Sequence, residues 1–308
     1  MTTSSASGKI ILFGEHAVVY GRPALAVPVT QVHADVEVTD ASRAGIWIEA
    51  PDVNLHAELM TLPSDHPIAA VIHNLFFQFH ISPFPNLKIR ISSTIPVASG
   101  LGSGAAVTVA LTRALAAHLS CSMSDEEVNA FTYEIEKLHH GTPSGIDNTV
   151  VTHARPVYFV RDQPIETFSV GQPFTIVIAD TGIPAPTRES VADVRKLFES
   201  DEKYWDNMFD EMGDISFAAR HVIREGWLRM LGSLMDENHA YLQELTVSSP
   251  ELDRLVEAAR GAGALGAKLS GGGRGGNMIA LVEPETAEMV SAALKAAGAK
   301  NTIVSQII

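Results

Sequence analysis

The chain has 308 residues, of which 46% are hydrophobic and 19% charged, and its formal net charge at pH 7 is −14. This length and composition predict a globular protein of two domains and argue against a disordered chain. Because nucleic acids and anionic membranes are bound through clustered Lys and Arg, the acidic balance argues against both as partners.

Cysteine usage and the first residues indicate where the protein works. Cys121 is the single cysteine, which excludes an intramolecular disulfide and a Cys-based zinc site and is typical of a cytoplasmic protein. The opening MTTSSASGKI lacks the basic and then apolar pattern of a secretory signal. No segment approaches the roughly 18 uninterrupted apolar residues of a spanning helix. We therefore expect a cytoplasmic protein without a membrane anchor.

The N-terminal part of the chain alternates predicted strands and helices. After a Ser-rich arm, the sequence predicts extended segments on both sides of a turn at 14–16. Further periodic patterns predict strands over 34–40, 45–50 and 87–93 and a helix over 66–79. A capping box of Ser124 and Glu127 predicts the start of a helix that ends near Gly141, and TPSGID (142–147) is predicted as an irregular loop.

The C-terminal part predicts a β-α-β-β-α-β arrangement, which is ferredoxin-like. Ser249 and Pro250 suit the N-cap and first position of a helix. The predicted elements, in order, are a buried strand near 175–180, helices within 188–248, a helix over 251–261, a hairpin of 266–271 and 277–282, a helix over 285–298 and a strand over 301–307. We place a domain boundary near residue 180, which gives domains 1–180 and 181–308 and an α+β class overall.

A glycine-rich loop joins the strand over 87–93 to the following helix. Its glycines, Gly100, Gly102 and Gly104, have a G-x-G-x-G spacing that matches neither a P-loop nor a dinucleotide fingerprint. Glycine lets a backbone approach a ligand closely, and a helix N-terminus presents unpaired N–H groups, so the loop suits a phosphate. Taken alone, the loop is equally compatible with phosphate binding and with an ordinary strand-to-helix turn.

Three other segments contain polar residues in unusual settings. GKIILFGEH contains Lys9, Glu15 and His16, and EIEKLHHGTPSGIDN places Glu136 eleven positions before Asp147. KLSGGGRGGN (268–277) has five glycines in six positions, which is more than a hairpin needs and indicates that something lies close to its backbone. Each segment alone also has an ordinary structural interpretation.

Together the four segments resemble the family of small-molecule kinases that includes galactokinase, homoserine kinase, mevalonate kinase and phosphomevalonate kinase. The motifs GKIILFGEHAVVYG, GLGSGAA, HGTPSGIDN and KLSGGGRGGNMIAL are most similar to those of the mevalonate kinases. The resemblance implies an N-terminal α/β domain and a ferredoxin-like C-terminal domain. It also implies ATP-dependent phosphorylation of the C5 hydroxyl of mevalonate in isoprenoid precursor synthesis, with Mg²⁺ as cofactor. A homodimer is expected from the family alone.

The resemblance implies roles for individual residues in the chemical step. Asp147 matches the catalytic aspartate that accepts the hydroxyl proton, and Lys9 matches the lysine beside it. A neighbouring cation keeps such a carboxylate ionised and favours the developing alkoxide. Glu136 matches the acidic Mg²⁺ ligand, where the metal neutralises charge on the phosphates.

The resemblance also implies how the two substrates are held. Glu15, His16 and Thr187 match positions that line the mevalonate site. The positions that match the ATP-binding segment are Ser93, Pro96, Ala98, Ser99, Gly100, Leu101, Gly102, Ser103 and Gly104.

Two positions depart from the pattern of the family. Many relatives have a serine hydroxyl on Mg²⁺ where this chain has Gly104, so we expect Ser103 or water to supply that contact. Arg274 stands where a glycine or another small residue is frequent, and its side chain is expected either to touch a phosphate or to lie in solvent.

Other functions of the same fold stay open at this point. A kinase of phosphomevalonate or homoserine is an alternative, although phosphomevalonate demands basic residues that this acidic chain hardly offers. Mevalonate diphosphate decarboxylase is disfavoured by Lys9, Asp147 and HGTPSGIDN together. A non-catalytic ligand-binding member should have lost its base or metal ligand, and Asp147, Lys9 and Glu136 are all present.

Overall fold

The computed structural model describes residues 1–96, 100–140 and 144–308, and for His139 and His140 it describes the backbone only. Its strands are β1 (Thr2–Phe13), β2 (Ala24–Asp40), β3 (Ile46–Ala50), β4 (Leu55–Glu58), β5 (Leu87–Ser93), β6 (Val157–Phe159), β7 (Glu166–Thr167), β8 (Phe174–Asp180), β9 (Gly266–Ser270), β10 (Asn277–Val282) and β11 (Asn301–Ile307). Its α-helices are α1 (Pro67–Gln78), α2 (Ser103–His118), α3 (Asp125–His140), α4 (Ile146–His153), α5 (Thr187–Ser200), α6 (Glu202–Glu225), α7 (Leu228–Glu244), α8 (Pro250–Gly261) and α9 (Ala287–Ala296). None of the helices within these described residues is long and apolar enough to cross a membrane.

The chain forms two compact units, and neither is one continuous stretch. The first unit consists of the described residues within Met1–Gly8, Val32–Val97 and Leu101–Ala154. The second unit consists of those within Lys9–Gln31, Ala98–Gly100 and Arg155–Ile308. Strands β1 and β2 therefore contribute residues to both units. The domains 1–180 and 181–308 stay a prediction.

The first unit combines a sheet with helices α1 to α4. Its strands follow the order β4-β3-β5-β2, in which β3 and β5 are parallel and the other pairs antiparallel. Buried residues alternate with less buried ones along β3 and β5, as expected for strands with one covered face. The predicted strands over 34–40, 45–50 and 87–93 and the helix over 66–79 are confirmed.

Helix α3 begins as the sequence predicts. The Ser124 backbone N–H donates to Glu127 Oε2 over 2.7 Å, and the Glu127 N–H donates to Ser124 Oγ over 3.2 Å. This reciprocal capping box satisfies two donors that the helix leaves without intrahelical partners.

Two segments differ from the prediction. Helix α4 begins at Ile146, within TPSGID, the segment predicted to be a loop, and its N-cap is Gly145 with a positive φ of 88°. Thr149 Oγ1 also donates to the Gly145 carbonyl over 2.7 Å, which ties the first turn together. The Ser-rich arm belongs to β1, which pairs with β2 and so satisfies its backbone groups.

The second unit contains the predicted ferredoxin-like arrangement. Strands β8, β9, β10 and β11 form an antiparallel sheet in the order β11-β8-β10-β9. Helices α8 and α9 complete the β-α-β-β-α-β sequence, and α5 to α7 are inserted after β8. Ser249 is the N-cap of α8, where its Oγ accepts from the Leu252 N–H over 3.3 Å, as predicted.

The backbones of α7 and β9 touch at a pair of glycines. A Cβ added at Gly232 would overlap the Leu265 carbonyl oxygen and lie 2.6 Å from the Leu265 carbonyl carbon. A Cβ at Gly266 would in turn overlap the Gly232 carbonyl oxygen. Since both neighbours are main chain, no side-chain rotation can relieve the overlap, and the spacing of helix and strand depends on these glycines.

We predict that Gly232→Ala lowers the free energy of unfolding, by about 1–3 kcal/mol, the usual scale of overpacking. The overlap forces α7 away from β9 and disturbs the packing on both sides. Chemical denaturation followed by far-UV circular dichroism measures the change.

Gly261→Ala is the matched control. Gly261 lies at the end of α8 with no heavy atom within 4 Å of the added Cβ. Alanine is favoured over glycine in a helix by about 1 kcal/mol, so this variant should be as stable as the wild type or more stable. Equal stability of Gly232→Ala and the wild type would contradict the close packing of α7 on β9.

Candidate active site

The turn after β1 places two polar side chains in the interior of the second unit. Gly14 has a φ of 89°, and a Cβ there would lie 2.5 Å from the Ala24 Cα, so the turn requires glycine. His16 also has a positive φ, of 61°. Glu15 is only 2% exposed and His16 6% exposed. Two of the three predicted substrate-site residues are therefore consecutive and buried.

Lys268 meets Glu15 inside the protein. It lies in the middle of β9 and is fully buried. Its ammonium group forms an ion pair with Glu15 Oε1 and donates to the Leu269 carbonyl over 2.8 Å. Burial lowers the pKa of Lys268, and the Glu15 carboxylate opposes this shift. The pair connects the turn after β1 to β9.

His16 is fixed by a contact with the glycine-rich segment KLSGGGRGGN (268–277), called here the second glycine cluster. Its Nε2 lies 3.2 Å from the Gly272 carbonyl oxygen. Because a carbonyl only accepts hydrogen bonds, this contact assigns the proton to Nε2. Burial lowers the pKa of His16 to about 4, so the ring is neutral near pH 7. In that tautomer Nδ1 is a hydrogen-bond acceptor.

Gly272 also lies against Thr187, the third predicted substrate-site residue. A Cβ at Gly272 would lie 2.5 Å from Thr187 Oγ1 and 3.0 Å from the Thr187 Cα. Thr187 is exposed and begins α5. The Gly272 main chain thus contacts His16 and lies against Thr187, and Glu15 directly precedes His16 in the chain.

The second glycine cluster packs on the protein itself. A Cβ at Gly273 would overlap the Val247 carbonyl oxygen, and one at Gly275 would lie 2.6 Å from the Ile183 carbonyl oxygen. The close neighbour that the sequence indicates is therefore, at these two glycines, the backbone of the same chain.

The Arg274 side chain is held by two acceptors of the same chain. Its NH1 donates to Asp193 Oδ2 over 2.6 Å, and its Nε donates to the Thr246 carbonyl over 3.3 Å. The Arg274 guanidinium, together with Lys196, lowers the pKa of Asp193 to about 2. Both expectations for Arg274 overlooked this partner, which lies 81 residues away in the sequence.

The glycine-rich loop of the first unit leads into the N-terminus of α2. Gly102 is the N-cap with a φ of 74°, and α2 begins at Ser103. The first N–H groups of a helix have no intrahelical acceptor, and the helix dipole is positive there. The first turn of α2, all of which is described, contains no acidic residue. The first turn of α2 itself therefore offers an anion main-chain donors and a positive dipole, with no acidic side chain of its own.

The other predicted ATP-binding residues have varied surroundings. Ser93 ends β5, where its N–H donates to Asp52 Oδ2 over 2.7 Å and its Oγ accepts from the Ile95 N–H over 3.2 Å. Leu101 is buried and Pro96 half-buried. Gly100, described in the second unit, has a φ of 75°. Ala98 and Ser99 lie outside the described residues.

The predicted metal ligand faces the glycine that departs from the family. A Cβ at Gly104 would lie 3.5 Å from Glu136 Oε1, an ordinary contact distance. Glu136 is 8% exposed. Across the described residues no three His, Cys, Asp or Glu side chains could hold a metal by themselves. Magnesium usually takes one or two carboxylates together with phosphate oxygens, so Glu136 and the Ser103 hydroxyl fit it chemically.

The two predicted catalytic residues lie in different units. Asp147 is half-buried in the first turn of α4, in the first unit. Lys9 is 5% exposed in β1, in the second unit. The pairing of Lys9 with Asp147 stays a prediction.

The sequence alone indicates no role for Lys268, the first residue of KLSGGGRGGN. The one feature that could have indicated a buried charged residue is the single lysine in GAKLS (266–270), a segment otherwise suited to a buried strand. Its partner Glu15 is 253 residues away in the sequence, so no local pattern identifies the pair.

Comparison with known proteins finds two family models and several relatives that match this chain. A family model described as GHMP kinases N terminal domain matches residues 67–154, and one described as GHMP kinases C terminal matches residues 219–300. A mevalonate kinase of Thermococcus sibiricus is 37% identical over 96% of this chain and 93% of its own length. A mevalonate kinase of Pyrococcus furiosus is 36% identical over 96% and 93%.

Solved structures give the same result. The L. major mevalonate kinase in complex with R-mevalonate has a TM-score of 0.87 and 29% identity, and the match covers 100% of this chain and 96% of that one. A Streptococcus pneumoniae phosphomevalonate kinase, with a TM-score of 0.82 and 16% identity over 99% and 100%, shares the fold. With both domain models matched and relatives above 35% identity along nearly its whole length, this chain belongs to the GHMP kinase family.

Proposed function

We propose that this chain is a mevalonate kinase, which transfers the γ-phosphoryl group of ATP to the C5 hydroxyl of mevalonate in isoprenoid precursor synthesis. The observation that carries the proposal is 35–37% identity to several mevalonate kinases over about 96% of the chain. The Streptococcus pneumoniae phosphomevalonate kinase, by contrast, has only 16% identity to this chain.

In this proposal Asp147 is the general base. Its carboxylate accepts the proton of the C5 hydroxyl as the oxygen attacks the γ-phosphorus, and the bond from that phosphorus to the bridging oxygen of ADP breaks. Its place in the first turn of α4 supports the role, because negative charge is favoured at a helix N-terminus. Lys9 is assigned to stabilise the alkoxide that develops.

The phosphates of ATP are assigned to the N-terminus of α2 and the residues before it. Main-chain N–H groups and the helix dipole supply positive potential there without a basic side chain. The absence of an acidic residue from that first turn supports this assignment in a chain with a net charge of −14. The contributing positions are Ser93, Pro96, Ala98, Ser99, Gly100, Leu101, Gly102, Ser103 and Gly104.

Glu136 and Ser103 are assigned to hold Mg²⁺. The metal supplies electrostatic neutralisation of the phosphate oxygens when it is bound. The residues of this chain contribute one largely buried carboxylate and one hydroxyl at the start of α2. Space beside Gly104 leaves room for water to complete the coordination.

Glu15, His16 and Thr187 are assigned to mevalonate. The closeness of His16 and Thr187 to Gly272, and the position of Glu15 directly before His16, support the assignment. We also propose a cytoplasmic location, supported by the single cysteine. We also propose a homodimer, which is supported by the family resemblance alone.

A coupled assay of ADP release across mevalonate, phosphomevalonate, homoserine and galactose tests the proposed function. We predict turnover with mevalonate, and turnover with the others lower by at least about 10²-fold, since an analogue that leaves buried polar groups unpaired is strongly rejected. A higher kcat/KM with phosphomevalonate or homoserine than with mevalonate would overturn the proposal.

We predict that Asp147→Asn lowers kcat with mevalonate by about 10²–10⁴-fold, the usual contribution of a general base. Asparagine keeps the size of the side chain but accepts no proton at neutral pH. Steady-state kinetics measure kcat, and isothermal titration with a non-hydrolysable ATP analogue should give a nearly unchanged dissociation constant.

Asp162→Asn serves as its control. Asp162 is 93% exposed at the side chain and has a φ of 61°, a conformation that asparagine tolerates equally well. This variant should keep wild-type kcat. If Asp147→Asn did so too, Asp147 could not be the base.

We predict that Gly104→Ser lowers the Mg²⁺ concentration needed for half-maximal activity, by about fivefold for a contact of about 1 kcal/mol. The new Cβ fits at 3.5 Å from Glu136 Oε1, so the added hydroxyl reaches the neighbourhood of the proposed ligand. Titration of activity with Mg²⁺ at fixed ATP measures the change.

Gly104→Ala provides the comparison for this variant. It adds the same Cβ without the hydroxyl and, like serine, has a higher helix propensity than glycine. Its half-maximal Mg²⁺ concentration should equal that of the wild type. Identical values for all three proteins would contradict the idea that a ligand is missing at position 104.

A further inference from the structure

A fully buried lysine in the middle of a strand requires an explanation. Lys268 lies between Ala267 and Leu269, which are both fully buried as well. Lysine is almost never fully buried unless it is paired, and replacing a buried ion pair by apolar side chains often leaves stability unchanged or improves it. Stability of the fold is therefore a weak reason for a lysine at this position.

Lys268 contacts the end of β1, the turn after it and its own strand β9. Its Nζ pairs with Glu15 Oε1, donates to the Leu269 carbonyl over 2.8 Å, and lies 5.7 Å from the centre of the Phe13 ring. Phe13 is the last residue of β1 and is itself fully buried. The Glu15 carboxylate is thereby held at one of its two oxygens.

The other oxygen of Glu15 has no partner in the described part of the chain. Glu15 Oε2 and His16 Nδ1 are both buried side-chain atoms without a hydrogen bond there. A buried acceptor left without a donor costs free energy, and a bound ligand that donates a hydrogen bond removes that cost. Two such atoms on consecutive residues indicate a binding surface.

We propose that Lys268 is a positioning residue for the alcohol substrate, because its ion pair fixes Glu15 with Oε2 turned to accept a hydrogen bond from a substrate hydroxyl. This inference rests on the proposed function and adds a residue to it.

The chemistry of the two atoms specifies which part of the substrate they contact. Glu15 Oε2 is an acceptor, and His16 Nδ1 is an acceptor because Nε2 faces the Gly272 carbonyl. Two acceptors match the hydrogens of hydroxyl groups and repel a carboxylate. The hydroxyl-bearing part of the substrate therefore lies at Glu15 and His16, and its carboxylate is bound by other groups.

Lys268→Met tests the role of Lys268. Methionine fills a similar volume without the charge, so Glu15 loses the group that fixes it. We expect the KM for the alcohol to rise by about 10- to 100-fold, the range that a hydrogen bond to a charged group contributes. The KM for ATP should change by less than about threefold, because Glu15 does not contact the nucleotide in this proposal.

Arg260→Met is the matched control in the same unit. Arg260 pairs with Asp236 over 2.7 Å and donates to the carbonyl of Ala267, the neighbour of Lys268 in β9. Its loss weakens the anchoring of β9 without touching Glu15. Both KM values should stay within about threefold of the wild type, whereas a general loosening of β9 would raise the alcohol KM in both variants.

A second variant keeps the test decisive if Lys268→Met does not fold. Glu15→Gln combined with Lys268→Met removes both buried charges and so avoids the uncompensated charge that Lys268→Met alone leaves in the interior. Its thermal midpoint should exceed that of Lys268→Met, while its alcohol KM should stay at least about tenfold above the wild type, because a neutral oxygen accepts more weakly than a carboxylate.

The outcomes separate this inference from the proposed function. If the wild type phosphorylates mevalonate and the folded variants have its KM for the alcohol, the positioning role of Lys268 is overturned and the proposed function stands. If the KM for ATP rose in Lys268→Met as much as the KM for the alcohol, the positioning role of Lys268 would be overturned as well. A wild type that phosphorylates none of the alcohols tested overturns the proposed function and this inference with it.

Discussion

The ion pair between Glu15 and Lys268 is the interaction on which the substrate side of the candidate site depends. It joins two segments that are 253 residues apart and lies where neither charge reaches water. Removing one partner leaves a bare charge in the interior, which usually costs about 3–5 kcal/mol. His16 follows Glu15 directly and contacts Gly272, and Gly272 lies against Thr187. The positions of Glu15 and His16 therefore depend on the same turn, and Gly272 connects that turn to Thr187.

Glycine has two different uses in this chain. At Gly102 a positive φ and the start of α2 expose main-chain donors, which suits an anion. At Gly273 and Gly275 the absence of a side chain admits the carbonyls of Val247 and Ile183. The two clusters look alike in the printed sequence. Only the surrounding backbone distinguishes a turn that leaves donors exposed from one that packs on its own chain.

The sequence predicted most elements because their signals are local. Alternation marked the strands, and the capping residues Ser124 and Ser249 marked helix starts that the structure confirms. Helix α4 was missed because Gly145 and its neighbours favour turns, while the hydrogen bonds that make them a helix start depend on the finished geometry. The partners of Arg274 and Lys268 were missed because each lies far away along the chain. Roles for Lys9, Asp147 and Glu136 came from resemblance to a family, since isolated charged residues carry no such information.

The neutral ring of His16 makes the hydrogen bonding of this side chain independent of pH near neutrality. With its pKa held near 4 by burial, this imidazole keeps one protonation state throughout the range in which a free histidine would switch. A change of half a pH unit near neutrality therefore leaves the hydrogen-bonding character of that side chain as it was. His16 therefore acts as a neutral polar group with one fixed lone pair, and it does not titrate in the neutral pH range as a free histidine does.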